Sequence, residues 1–163
     1  MVVFMTGVVP GTCRIPKQVG GDREKAEKRR ALSFKDNLGD LATTVGKLSV
    51  DNLSPAQLQH AGRTLGLYSS IWEKVFGGAP SGLVKRRLRK WEEYIDADDR
   101  AIERGGGPKG IEGEELRVAC EERGLNILGK REEVLQKNLE GWLREKRNGG
   151  VTRLLFLQPE KRT

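Results

Sequence analysis

The sequence predicts an all-α fold: a small helical domain built from two tandem helix-turn-helix units behind an N-terminal helical segment. Three observations carry this. Apolar residues recur at spacings of three and four, as one buried face of an α-helix requires. Helix-start residues and Gly-Leu stops bracket those stretches. The arrangement then occurs a second time, roughly 50–60 residues further on.

Residues 1–21 form an N-terminal stub whose first ten residues, MVVFMTGVVP, are apolar. That run is too short to cross a bilayer, which takes about 20 apolar residues. No charged segment precedes it, as one would in an export signal. Residues 22–50 are expected to form a helical lead-in. The run DREKAEKRR is charged and helix-favouring, and Phe34, Leu38, Leu41, Val45 and Leu48 follow at helical spacing, with Gly39 as a break or kink.

The first unit spans residues 53–95. Ser54 suits an N-cap, Pro55 the first helical position, and Gln57 completes a capping box. Leu53 and Leu58 stand where a hydrophobic staple closes, and Gly66-Leu67 ends the helix. A connection leads to a second helix with the stripe Val84, Leu88, Trp91 and Ile95. The second unit spans residues 111–146. It keeps the staple as Ile111 and Leu116, the stop as Gly124-Leu125, and the stripe as Leu135, Leu139 and Trp142; Glu112 is a poorer cap. Two short helices bury too little alone, so the units are expected to pack on one another, with both tryptophans and Cys120 in the core.

IDADDRAIERGGGPKG, residues 95–110, joins the units. Asp96, Asp98 and Asp99 do not make a calcium loop. The sixth and twelfth positions counted from Asp96 are Ala101 and Gly107, where an EF-hand needs Gly and Glu. Helix-start acids and i,i+4 pairing are the expected account of these aspartates. Gly105–Gly107 with Pro108 reads as a joint rather than a phosphate loop, since no Gly-Lys-Ser/Thr follows. Residues 147–163 form a basic tail, in which Val151–Leu157 is apolar enough for a short strand or docking segment.

Composition narrows the function. Of 163 residues, 36% are hydrophobic and 33% charged, enough for a small helical core but not for a large α/β enzyme. The net charge of +7 points to an acidic partner, nucleic acid or an anionic membrane. Cys13 and Cys120 form neither a disulfide framework nor a zinc pair, which fits a reducing compartment. His60 is the only histidine, lies off the Leu58–Ala61–Leu65 stripe and is expected to be solvated. No nucleophile-base set assembles around it, so no catalytic residue, metal or cofactor is assigned and the chain reads as a non-enzyme.

Binding residues are sought on basic helix faces. In KRRLRK, the residues Lys85, Arg86, Arg87, Arg89 and Lys90 surround inward-facing Leu88, a face suited to ribosomal RNA phosphates or acidic headgroups. Arg23, Lys25, Lys28, Arg29 and Arg30 offer a secondary basic patch. The segment 111–146 instead carries nine acidic and seven basic residues, which disfavours a grip on duplex DNA.

The order of NLSPAQLQHAGRTLGL, ADDRAI and EELRVACEERGLNILGKREEVLQKNLEGWL, with RLLFL in the tail, resembles the ribosome-binding domain of the Letm family of mitochondrial inner-membrane proteins. The resemblance covers residues 51–146 and, more loosely, the flanks. VVFMTGVVP followed by IPKQ is similar to the point where family members leave their transmembrane helix, so the chain is expected to belong to a longer protein anchored by an upstream segment. The resemblance implies a helical domain facing the matrix that binds mitochondrial ribosomes, through RNA, protein or both. It also implies help for newly made proteins reaching the inner membrane, and a link to potassium/proton or calcium/proton exchange. Two other readings stay open. LRVACEERGLNILGKREEVL by itself resembles the SAP module, a helix-extended-helix DNA binder. The chain also reads as the soluble part of a cation/proton exchanger.

Overall fold

Six α-helices make up the described part of the chain, which in the computed structural model is residues 16–36, 49–149 and 154–156. They are α1 (Pro16–Asp36), α2 (Pro55–Thr64), α3 (Ser70–Phe76), α4 (Ser81–Arg104), α5 (Gly113–Glu122) and α6 (Glu132–Gly149). Short 3-10 turns lie at Val50–Asn52 and Pro108–Gly110, and no strand occurs among the described residues. The fold is all-α, as the sequence predicts.

The start and stop signals act as read. The Ser54 hydroxyl accepts from the Gln57 amide at 3.2 Å while the Gln57 side chain accepts from the Ser54 amide at 2.9 Å. Glu112 makes no side-chain cap bond. Both Gly-Leu stops close in one geometry. Gly66 and Gly124 are left-handed, with φ of 62° and 71°, and Leu67 and Leu125 donate back to Gly62 and Cys120, each at 2.9 Å. Only glycine takes that backbone conformation without strain, so the two stops are equivalent in physics as well as in sequence.

α2 packs on α4 and α5 on α6, giving two hairpins, and α1 lies over α2. The hairpins share one core: Leu88, Trp91 and Ile95 from the first and Leu116, Leu135, Leu139 and Trp142 from the second are buried in the same cluster. The Trp91 and Trp142 rings meet edge to face at 6.5 Å, a favoured aromatic geometry, and the Trp91 indole donates to the Glu122 carbonyl at 2.8 Å. Cys120 is buried as expected. Its thiol points at the Leu135 carbonyl, and burial pushes its pKa up to about 11.

Several expectations need correction. α1 begins at Pro16, inside the stretch assigned to the stub, because proline suits a first helical turn and α1 gains packing against α2. Leu38, Gly39, Leu41, Val45 and Leu48, and the run MVVFMTGVVP, lie outside the described residues. The connection in the first unit contains a helix, α3, capped by Ser69 at its start and by left-handed Gly77 at its end. In the tail, the described residues Leu154–Phe156 form a buried helical turn docked on the core, the docking alternative rather than the strand.

His60 is not solvated but fully buried. Its Nδ1 shares a 2.8 Å hydrogen bond with the Ser33 hydroxyl, and Nε2 donates to the Leu155 carbonyl at 3.3 Å. Phe34 and Phe156 flank the ring. The expectation assumed one buried face on α2. With α1 and the Leu154–Phe156 turn covering the other side, His60 becomes the polar pin between three segments.

Asp96, Asp98 and Asp99 are not helix-start acids, since α4 runs unbroken through them to Arg104. Asp98 and Asp99 neutralise Arg123, whose side chain has no exposed surface. Its Nε and Nη2 donate to Asp99 Oδ1 at 2.9 and 2.6 Å, Nη2 also reaches Asp98 at 2.6 Å, and Nη1 reaches the Ala119 carbonyl at 2.7 Å. The second oxygen of Asp99 takes Lys146 at 2.9 Å and the Trp142 indole at 3.3 Å. Lys146 also holds Asp96 at 2.8 Å.

Two predictions test this packing. Gly62 lies in mid-helix, where alanine ordinarily stabilises by about 1 kcal/mol. A Cβ there collides with the Tyr68 ring. Gly62→Ala is therefore expected to destabilise by roughly 1–3 kcal/mol, as overpacking does, measured by urea unfolding. At pH 8 about one in a thousand Cys120 thiols is ionised, given its raised pKa. Iodoacetamide, followed by mass spectrometry of the Cys120 peptide, should label it far more slowly than the urea-unfolded chain, with the native rate climbing as pH approaches 11.

Candidate functional site

α4 is electrically divided along its length. Residues 81–90 contain five basic and no acidic residues, whereas residues 91–104 contain six acidic and two basic ones. The basic half is also the helix N-terminal half, where the backbone dipole adds positive potential. Apolar Val84, Leu88 and Trp91 face the core, so the cations are left on the outside.

The five cations are not equivalent. Lys85 donates to the Asp51 carbonyl at 3.0 Å and lies 3.5 Å from its carboxylate, and Arg89 pairs with the same carboxylate. The hydrogen bond from Arg89 holds the Asp51 carboxyl below the usual range. Arg87 donates to the Leu67 carbonyl, tying α4 to the first Gly-Leu stop. Arg86 and Lys90 are exposed and make no ion pair among the described residues. Separated by four residues, they lie one above the other on the helix surface and present two donors along a line. Lys85 and Arg89 flank them, each shared with one exposed carboxylate that an incoming phosphate can displace.

The secondary basic patch is built differently. Arg23 reaches across to the second hairpin, pairing with Glu121 at 3.1 Å and with Glu114. Arg29 pairs with Glu73 of α3 at 3.0 Å and lies 6.0 Å above the Tyr68 ring. Arg30 is buried, pairs with Glu27 at 2.5 Å and points at the Thr64 carbonyl at 3.4 Å. These three arginines fasten α1 to both hairpins. Lys25 and Lys28 are the exposed members of the patch.

Sequence reasoning missed Arg123 and Asp99 as a pair. The signals were there. Arg123 occupies the position that Leu65 holds ahead of the first stop, and Asp99 falls on the stripe between Ile95 and Ile102. A charge at each of two core positions calls for the other.

No helix among the described residues is long and apolar enough to cross a membrane. Neither the curated proteins nor the solved structures yield a match to this chain. A family model, LETM1-like, RBD, matches residues 24–160, which takes in all of α2–α6, the buried Leu154–Phe156 turn and most of α1. The chain belongs to this family of ribosome-binding domains.

Proposed function

We propose that this domain docks mitochondrial ribosomes at the inner membrane, on the matrix side, and that the basic half of α4 is the surface that meets ribosomal RNA. Membership of the ribosome-binding family supplies the partner. The observation that carries the choice of surface is the arrangement of Arg86 and Lys90: exposed, free of ion pairs among the described residues, and set on a rigid helix whose opposite face is core. RNA duplexes are met largely through phosphates and shape, which suits a row of cations with no built pocket. The order of motifs in the sequence supports an upstream membrane anchor and a role in delivering newly made proteins to the membrane. A link to potassium/proton or calcium/proton exchange belongs to the full-length protein in this reading. The domain itself contributes attachment.

The test is co-sedimentation with purified mitochondrial ribosomes across a salt series. Arg86→Glu with Lys90→Glu is expected to weaken binding about tenfold or more and to flatten its dependence on salt, because fewer counterions are released. Circular dichroism should be unchanged, since both side chains are exposed. Equal co-sedimentation of the double variant and the parent chain at every salt concentration removes this face from the contact.

A further inference from the structure

Between α4 and α5 runs a groove of about 340 Å³ whose exposed lining is mostly apolar. Its apolar lining is Ile102 from α4, Ile111 from the joint, and Val118 and Ala119 from α5. Val118 is 40% exposed, the one apolar side chain of the groove that is open to solvent to that degree. Four carboxylates and the Tyr94 hydroxyl line the rest, and no lysine or arginine does. Two of the carboxylates are already neutralised from outside the groove, Asp98 by Arg123 and Glu114 by Arg23. Glu115 and Glu122 make no ion pair within 4 Å among the described residues, and the Glu122 carboxylate takes its hydrogen bonds from the Tyr94 hydroxyl, at 3.0 and 3.1 Å.

This is an odd surface on a chain of charge +7. Of its apolar floor Val118 stays in water, and burial already raises the cost of ionising Glu122 beside it. A cation entering beside Glu122 lowers that cost, and an apolar side chain covering Val118 removes the exposed floor. RNA does neither, because four carboxylates repel phosphate. We propose that the groove between α4 and α5 docks a basic peptide segment of a partner protein, seating one apolar side chain on Val118 and Ala119 with a flanking lysine or arginine on Glu115 and Glu122. The groove lies at the small end of the range for ligand clefts, about 300–1,000 Å³, which suits one or two anchoring side chains rather than a whole helix. The proposal goes beyond the ribosome reading and stands on other residues. α4 then offers cations to one partner from its first half, while Tyr94 and Ile102 of its second half wall the groove that receives the other.

The full chain, labelled with nitrogen-15, is titrated with a capped heptapeptide carrying Lys-Leu-Lys at its centre. Two control peptides replace the leucine by serine, or both lysines by glutamate. The expected result is saturable shifts of the Ile102, Val118 and Ala119 amides. Binding should be about tenfold weaker for the serine control and absent for the glutamate control. Val118→Lys with Glu115→Lys, both at exposed positions, should abolish the shifts while leaving the remaining spectrum in place. Arg86→Glu with Lys90→Glu should leave peptide binding unchanged, which separates failure of the groove from failure of the ribosome face. The proposal is overturned if the parent chain shows no saturable shifts, or if the serine control binds equally well. It is also overturned if light scattering shows a dimer that Val118→Lys breaks, since the groove is then filled by a second copy.

Discussion

A guanidinium with no exposed surface has to be neutralised from within, and in this fold Arg123 sets that requirement. It sits at the end of α5, ahead of the second Gly-Leu stop, and its counter-charges, Asp98 and Asp99, come from α4 in the other hairpin. Lys146 of α6 and the Trp142 indole complete the shell of Asp99, and the backbone carbonyl of Ala119 takes the remaining edge of Arg123. The two hairpins meet mainly through such long side chains rather than through close backbone approach. Apolar contact between them is tolerant of sliding, whereas a buried fork of donors against one carboxylate is not. The network therefore fixes the register of one hairpin on the other. The flanking Trp91–Trp142 contact supplies apolar burial at the register so chosen.

That register also positions the surface chemistry. Because Asp98 and Asp99 are drawn inward to Arg123, the acidic half of α4 lies against α5, while Lys85, Arg87 and Arg89 of the basic half contact Asp51 and Leu67 instead. α1 is clamped over the join by Arg23 on the second hairpin and by Arg29 and Arg30 on the first. Within the two basic patches, the exposed cations that the fold does not consume are Arg86 and Lys90 on α4 and Lys25 and Lys28 on α1.

Much of the fold was legible in the sequence because its signals are local. Ser54, Pro55 and Gln57 announce a helix start, and Gly66 and Gly124 announce two stops; each acts within one turn of chain, so no tertiary knowledge is needed. The stripe from Val84 to Ile95 was legible for the same reason. His60 was not, because a second helix buries the side of α2 away from α4, and that depends on a segment 27 residues away. The aspartates of the joint were misread because their partner, Arg123, lies 24 and 25 residues on in the chain. The basic site was legible as a cluster, but not which of its members are free: Asp51, from a turn outside α4, claims Lys85 and Arg89. Long-range charge pairing was the common factor, and it has no short-range signature.

A double-mutant cycle on Asp99 and Arg123 tests most directly whether this pair holds the two hairpins in one register. Asp99→Ala, Arg123→Met and the double variant are compared by urea unfolding, followed by circular dichroism and tryptophan fluorescence. Each single change should cost about 3 kcal/mol, because it takes the buried partner from a buried charge and leaves it only a partly exposed one. The double variant should cost less than the sum by at least about 1 kcal/mol, with both probes reporting one transition. Additive losses, or a parent chain whose hairpins unfold in separate transitions, would contradict the account.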